Sequence, residues 1–142
     1  MAVKKKQYED AEQEALFQWA RLEPMPNDPG VVADYLFAIP NGGRRNVREA
    51  ARFRRQGVKA GVSDLFLPVP IFGAVAPMYM GLWIEMKKRR EHFRSMGEAD
   101  KAMSETQAHW FTLMQGQGYG CLCCYGWEEA RNAILRYLAG EM

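Results

Sequence analysis

Two charged side chains end an otherwise apolar stretch of the chain. Glu85 and Lys87 follow the run Leu82-Trp83-Ile84, which has the composition of a buried strand. Side chains two apart on a strand share a face, so the carboxylate and the ammonium point together, whereas Met86 points to the other side. Two converging charges at the end of a buried strand indicate a chemical site.

Asp64 supplies a second carboxylate, because it precedes another predicted strand. If that strand lies beside the strand of Glu85, two carboxylates and the Lys87 ammonium meet in a small volume. Mg²⁺ prefers one or two carboxylates together with water and phosphate oxygens, so the trio predicts a site for Mg²⁺ or Mn²⁺. The cation would polarise a phosphodiester and activate a water, and Lys87 would orient that water or stabilise charge on the phosphate.

The same residue types have a simpler interpretation. A glutamate and a lysine at a strand edge usually form a solvated ion pair or protect the edge from pairing. Short motifs of this kind also match often by chance. The interpretation of Glu85 and Lys87 as catalytic residues therefore depends on the surrounding sequence.

A strongly basic segment lies between residues 44 and 59. The net charge of the chain is only +2, but Glu49 is the single acid among the basic residues of this segment, which are Arg44, Arg45, Arg48, Arg52, Arg54, Arg55 and Lys59. This charge distribution predicts a polyanionic partner.

The loop Asn41-Gly42-Gly43 precedes two of these arginines. Its glycines have no Cβ, so the backbone amides could approach a phosphate closely. A plain hairpin turn is the alternative interpretation.

The spacing of apolar residues predicts alternating helices and strands. Helices are predicted over Tyr8–Leu22, Asn46–Gln56, Thr106–Gln117 and Glu128–Leu138, and strands over Tyr35–Ile39, Ser63–Leu67, Gly81–Lys87 and Tyr119–Tyr125, with a polar stretch over Lys88–Glu105. This order predicts one α/β domain over residues 1–142, in which helices flank a mixed central sheet.

The segment from Leu65 to Ile84 has no charged side chain and is as long as a membrane-spanning helix. Its prolines and glycines would interrupt such a helix, so we predict a buried hairpin and no contact with a membrane. Met78 and Met80 are expected in the core or at the hairpin tip.

The three cysteines, Cys121, Cys123 and Cys124, lie close together in a predicted strand. They lack the second ligand pair of a zinc site, so structural, reduced thiols are predicted. The lysines of the first six residues are not followed by an apolar segment, which is unlike a secretory signal. Together these features predict a cytoplasmic protein.

Several linked motifs carry a family resemblance. They are Ile39-Pro40-Asn41-Gly42-Gly43-x-Arg45, Gly57-x-Lys59-x-Gly61-Val62-Ser63-Asp64-Leu65, Gly81-Leu82-Trp83-Ile84-Glu85-Met86-Lys87 and Ser104-x-x-Gln107-x-x-Trp110, followed by Gly118-Tyr119 and Glu128-Glu129-Ala130. In order and spacing, over roughly residues 9–138, they resemble the virus-type replication-repair nuclease (VRR-Nuc) family of the PD-(D/E)XK superfamily. Ser63 departs from the pattern, because it stands where the superfamily name has proline.

The resemblance implies a restriction-endonuclease-like fold and a DNA endonuclease dependent on Mg²⁺ or Mn²⁺. It implies Asp64 as the metal-bridging aspartate, Glu85 as the second carboxylate ligand and Lys87 as the catalytic lysine, with the Met86 carbonyl also near the metal. Branched DNA, such as a four-way (Holliday) junction, is the implied substrate, and a homodimer is the implied assembly.

Two further residues enter through the resemblance. Glu9, with Gln13 one turn later, matches a glutamate of the first helix, although Glu12 is a rival and either acid could simply be solvated at a helix start. Gln107 would contact the scissile phosphate, or else only pack between helix and sheet.

The residues expected to contact DNA are drawn from the glycine loop, the basic segment and the end of the catalytic strand. They are Asn41, Gly42, Gly43, Arg44, Arg45, Arg48, Arg52, Lys59 and Lys88. Two alternatives stay open, namely a DNA-binding module without catalysis and a nuclease directed at RNA, since no reader of the 2′-hydroxyl is evident.

Overall fold

The computed structural model describes residues 2–40 and 46–142, with side chains from residue 5 onward. Over these residues the helices are α1 (Ala2–Ala20), α2 (Val47–Arg55), α3 (Met96–Asp100), α4 (Glu105–Gly116) and α5 (Trp127–Leu138). The strands are β1 (Phe37–Ala38), β2 (Leu65–Leu67), β3 (Ile71–Phe72), β4 (Pro77–Tyr79), β5 (Leu82–Lys87) and β6 (Gly120–Tyr125). Short 3-10 turns cover Val32–Asp34 and Arg90–His92.

Four of the strands form a mixed sheet in the order β1-β2-β5-β6. The strands β1 and β2, and the strands β2 and β5, pair antiparallel, whereas β5 and β6 run parallel. Helices cover both faces, so the predicted α/β fold with a mixed central sheet is confirmed.

The main core lies between one face of the sheet and helices α1 and α5. Leu16 of α1 and Ile134 of α5 are fully buried there against Leu65, Ile84 and Met86 of the sheet. The alternation of side chains along β5 sends Met86 into this core and leaves its neighbours to the opposite face.

Aromatic residues fill the opposite face, which helix α4 covers. Phe66 of β2 stacks on Trp83 of β5 at a centroid distance of 4.2 Å, and Trp110 of α4 meets Trp83 edge-on at 5.3 Å. Glu85 and Lys87 follow Trp83 on this same face, and so α4 lies directly over the charged end of β5.

The apolar segment between β2 and β5 differs from the prediction. Instead of one buried hairpin, β3 and β4 form a separate two-stranded antiparallel sheet. Its side chains are largely exposed: Phe72 is 70% exposed and Val75 98%. Pro68 and Pro70 cannot donate to a ladder, which explains why the pairing of β2 with β5 stops after Leu67.

Smaller differences concern element ends. The first helix begins at Ala2 instead of Tyr8, the first strand is only Phe37–Ala38, and α3 occupies part of the predicted polar stretch. The cysteines lie on β6, as the predicted strand over Tyr119–Tyr125 requires, and their thiols are free. Within the described residues no helix has the length and apolar character needed to cross a bilayer.

Candidate active site

The register of β2 and β5 brings Asp64 to Glu85. Leu65 pairs with Ile84, so the preceding and following residues, Asp64 and Glu85, stand opposite each other where β2 begins. The backbone N–H of Met86 donates to Asp64 Oδ2 at 2.8 Å. The aspartate side chain thereby accepts a ladder hydrogen bond that β2 would otherwise have accepted, which holds it against β5.

The backbone carbonyl of Met86 faces the same side as its N–H. In a strand, both polar groups of one residue point to the same neighbour, and the Met86 N–H points to Asp64. The carbonyl therefore projects into the space beside Asp64, just before the start of β2.

Glu85 and Lys87 converge as their spacing predicts. The Lys87 Nζ lies 3.6 Å from Glu85 Oε1, and both side chains are 4% exposed. Burial of two charged groups is costly unless they are paired and hydrogen-bonded, so the surroundings of this pair must compensate for lost water.

Gln107 of α4 supplies part of that compensation. Its Nε2 donates to Glu85 Oε1 at 2.6 Å, and its Oε1 accepts from Lys87 Nζ at 3.2 Å. The backbone N–H of Ser104 also donates to Gln107 Oε1, at 2.9 Å, while Ser104 Oγ accepts from the Gln107 N–H. This capping box starts α4 and orients the carboxamide, because two donors face its oxygen and its nitrogen must face Glu85.

A glycine brings the loop before Asp64 against the same helix. Gly61 has φ of +86°, and a Cβ there would overlap the backbone carbonyl of Thr106. The chain can approach the first turn of α4 this closely only without a side chain. Asp64 and Gln107 are thus positioned relative to each other by backbone contact.

The structure separates the two candidate acids of α1. Glu9 faces the site, where its pKa responds to the charges of Lys87 and Asp64, and its Oε1 is buried without a hydrogen-bond partner in the described structure. Glu12 instead accepts from the Trp127 backbone N–H at 2.9 Å and pairs with Arg89 at 3.2 Å. Gln13 lies outside the trio, on the wall of a cavity of about 680 Å³ between α1 and β1.

The acids of the site resist ionisation. Burial, together with the charge of Asp64, raises the pKa of Glu85 to about 8. Burial also raises the pKa of Asp64 and that of Glu9. The volume therefore holds more acidic groups than the nearby ammonium of Lys87 neutralises, which is the electrostatic condition that a divalent cation relieves.

The donor set fits a hard cation. Glu85 Oε2 is buried and no N–H of residues 2–40 and 46–142 donates to it, while the Glu85 and Asp64 carboxyls lie within hydrogen-bonding distance of each other. No cluster of three or more His, Cys, Asp or Glu side chains in the described part of the chain is arranged as metal ligands. A site of two carboxylates completed by a carbonyl, water and substrate is typical of Mg²⁺ and not of an all-protein cage.

Comparison with known proteins bears on the fold. No family model and no curated protein sequence matches the chain. A solved structure described as a VRR_NUC domain protein superposes with a TM-score of 0.71, over 92% of this chain and 88% of that chain, at 24% identity. The chain has the VRR-Nuc fold. The resemblance that the motifs indicated is confirmed at this level.

The structure describes only some of the residues that were expected to contact DNA. Asn41, Gly42, Gly43, Arg44 and Arg45 lie outside the described residues. Arg48, Arg52 and Lys59 are exposed on or after α2, and Lys88 is half-buried, with its Nζ 4.6 Å from the Phe93 ring centre.

Sequence reasoning missed the residues that link the elements around this site. Arg89 ties Glu12 of α1 to Glu128 of α5, at 3.2 and 2.8 Å, and Arg90 pairs with Glu129 at 2.9 Å. Both arginines follow Lys88 in sequence, but their guanidinium groups are engaged by acids of the same protein. The paired residues are 77 and 39 positions apart in sequence, so no local sequence pattern indicates that they form ion pairs.

Proposed function

We propose that the protein is an endonuclease that hydrolyses phosphodiester bonds of DNA at Asp64, Glu85 and Lys87 and depends on Mg²⁺ or Mn²⁺. The observation that supports this most directly is the pair of buried carboxyls: Glu85 lies within hydrogen-bonding distance of Asp64, and no N–H of the described residues donates to Glu85 Oε2. A buried carboxylate oxygen without a donor is costly in a purely structural site. A cation-binding role accounts for it.

Asp64, Glu85 and the Met86 carbonyl would hold the cation, which when bound lowers the pKa of a coordinated water and polarises the phosphate. The protein groups around it have separate tasks. The Met86 N–H restrains Asp64, and Gln107 restrains one oxygen of Glu85, leaving the other directed into the site. Because both carboxylates are already held in place, the side chains of the site need less reorganisation when substrate binds.

Lys87 is placed to act on the substrate. Its ammonium is held by Glu85 and Gln107 but retains further donor capacity, because an ammonium carries three N–H groups. In a desolvated site it would stabilise negative charge that develops on a phosphate oxygen. Glu9, whose pKa is raised by burial, is placed to accept a proton or to hold a water at the edge of the site.

A cleavage panel tests this proposal. Linear, flapped, forked and four-way DNA substrates are incubated with Mg²⁺, with Mn²⁺ or with EDTA. We expect metal-dependent cleavage by the native protein, and for Glu85→Gln and Lys87→Ala a loss of cleavage with DNA binding retained. Lys101→Ala and Glu141→Gln, at exposed positions, are the matched controls. Absence of cleavage of every substrate with both metals would overturn the proposal.

The finer proposal is a homodimer acting on branched DNA. Two cuts placed symmetrically in a four-way junction require two sites related by a two-fold axis, which a dimer supplies. Light scattering at working concentration measures the assembly, and paired nicks in opposite strands of a junction measure the symmetry. A monomer that cuts linear duplex as fast as a junction contradicts this part alone, and preferential cleavage of matched RNA would reassign the substrate.

The cytoplasm is the compartment we propose, because the three thiols on β6 are free and reducing compartments maintain such thiols. Alkylation before cell lysis should find all three reduced. A disulfide recovered under that treatment would contradict the assignment.

A further inference from the structure

The arginines of α2 are arranged in a stripe. Arg48, Arg52 and Arg55 are four and three residues apart, so they lie within about 60° of arc on the helix surface. They line one side of a cavity of about 490 Å³ together with Asn46 and Glu49. Arg54, of equal charge, points about 120° away from the stripe.

The arginine side chains of the stripe are exposed to solvent. Arg48, Arg52 and Arg55 are exposed, whereas Ala50 and Phe53, on the opposite side of α2, are half-buried. The helix has no fully buried residue, and therefore packing alone gives little reason for this cluster of charges.

The stripe arginines also lack acidic partners. The ion pairs of the described residues involve Lys87, Arg89 and Arg90, and none of them reaches α2. Like charges four apart on a helix are destabilising, and Glu49 is the one acid of α2. Such an arrangement costs stability unless a polyanion binds to it.

We infer that Arg48, Arg52 and Arg55 bind phosphates within a run of four along one nucleic-acid strand. Arg48 and Arg55 are seven residues apart, which is about 10 Å along the helix at about 1.5 Å per residue, and the first and fourth of four successive phosphates of one duplex strand are also about 10 Å apart along the axis at about 3.4 Å per step. Guanidinium groups bind phosphate oxygens in a bidentate manner. This inference rests on the proposed DNA substrate and assigns the part of the surface that follows its backbone.

Binding measured without metal tests the inference independently of catalysis. The dissociation constant of a labelled duplex is measured in EDTA over a range of KCl concentrations, for the native protein and for Arg48→Ala, Arg52→Ala, Arg55→Ala and the triple variant. Each phosphate contact contributes about 0.9 to the slope of log affinity against log salt. We expect each single variant to make the slope shallower by about 0.9 and the triple variant by about 2.7.

Arg54→Ala is the control of equal charge change, and its slope should stay within about 0.3 of the native value, since it makes no phosphate contact. An equal reduction by Arg54→Ala would show diffuse attraction and overturn the inference, as would unchanged slopes in the stripe variants. A parallel loss of binding to anionic phospholipid vesicles would assign the stripe to another partner and also overturn it. Native protein that binds with the expected slope but cleaves nothing would contradict the proposed enzyme and leave the stripe supported.

Discussion

The carboxamide Nε2 of Gln107 lies 2.6 Å from Oε1 of Glu85. This contact joins a helix on one side of the sheet to the carboxylate at the end of β5, across 22 residues of sequence. Because the other end of the same carboxamide accepts from Lys87, Gln107 holds Oε1 of Glu85 and restrains the orientation of the whole carboxyl group. The position of α4 therefore affects the orientation of the Glu85 and Lys87 side chains on β5.

Gln107→Glu should reduce cleavage without unfolding the protein. The new side chain can still accept from Ser104 and Lys87, since glutamate also completes a capping box, but it places a second carboxylate against Glu85 where a donor had been. We expect a decrease of about 10- to 100-fold in the single-turnover rate, the usual cost of losing a residue that orients a metal ligand.

Gln115→Glu is the matched control for this substitution, because Gln115 is exposed on the same helix. Thermal unfolding should show both variants folded. A Gln107→Glu protein that cleaves at the native rate would show that the contact with Glu85 has no role in the reaction.

The stability of the metal-free protein should fall as pH rises. The pKa of Glu85 is raised from 4.5 to about 8 in the folded state, so between these values the native state binds more protons than the unfolded chain. By linkage, the contribution of Glu85 is fully present below about pH 4.5 and is lost as pH rises through about 8. Asp64 and Glu9, whose pKa values burial also raises, add to the same trend.

Urea unfolding in EDTA at several pH values measures this effect. Glu85→Gln should flatten the dependence, and Mg²⁺ or Mn²⁺ should stabilise the native protein most at the alkaline end. Stability that increases from pH 5 to pH 8 in EDTA would show that these carboxyls are not desolvated in solution.

The directions of the side chains on β5 were predictable because successive side chains of a strand point to opposite faces. The positions of Glu85 and Lys87 after an apolar run are sufficient to place both charges on one face and Met86 in the core. Asp64 followed from antiparallel pairing of the two strands, which the register of Leu65 with Ile84 confirms.

Other features depend on contacts that sequence does not encode locally. The uncharged segment between β2 and β5 has the composition of core, yet the prolines divert it into an exposed sheet. Glu9 and Glu12 are three residues apart, so a helical pattern puts both on one side of α1. Only the Trp127 backbone N–H and Arg89, from far along the chain, distinguish them.

Substitution of these two acids should have opposite effects on stability. Glu12→Gln weakens the pair with Arg89 and the tie to α5, and loss of hydrogen bonds at a partly buried charged group costs about 1 to 3 kcal/mol. Glu9→Gln removes a desolvated carboxylate, so the free energy of unfolding in EDTA should rise while the cleavage rate falls. Urea unfolding and single-turnover cleavage measure both. Loss of stability in Glu9→Gln, with cleavage intact, would remove Glu9 from the site.

Two glycines provide a test of how the loop before Asp64 is positioned. Gly61 and Gly57 both have positive φ, but a Cβ at Gly61 would overlap the carbonyl of Thr106, whereas a Cβ at Gly57 has no atom within 4 Å. Gly57→Ala should therefore cost only backbone strain, about 1 kcal/mol. Gly61→Ala adds a collision with backbone and should cost about 3 kcal/mol or more.

The two variants should also differ in activity. To relieve the overlap, the loop must move away from the first turn of α4, which separates Asp64 from Gln107 and Glu85. Gly61→Ala should then lower the cleavage rate under conditions where it remains folded by circular dichroism, whereas Gly57→Ala, on the same loop, should cleave at the native rate. Equal rates in the two variants would mean that contact between the loop and α4 does not position the aspartate.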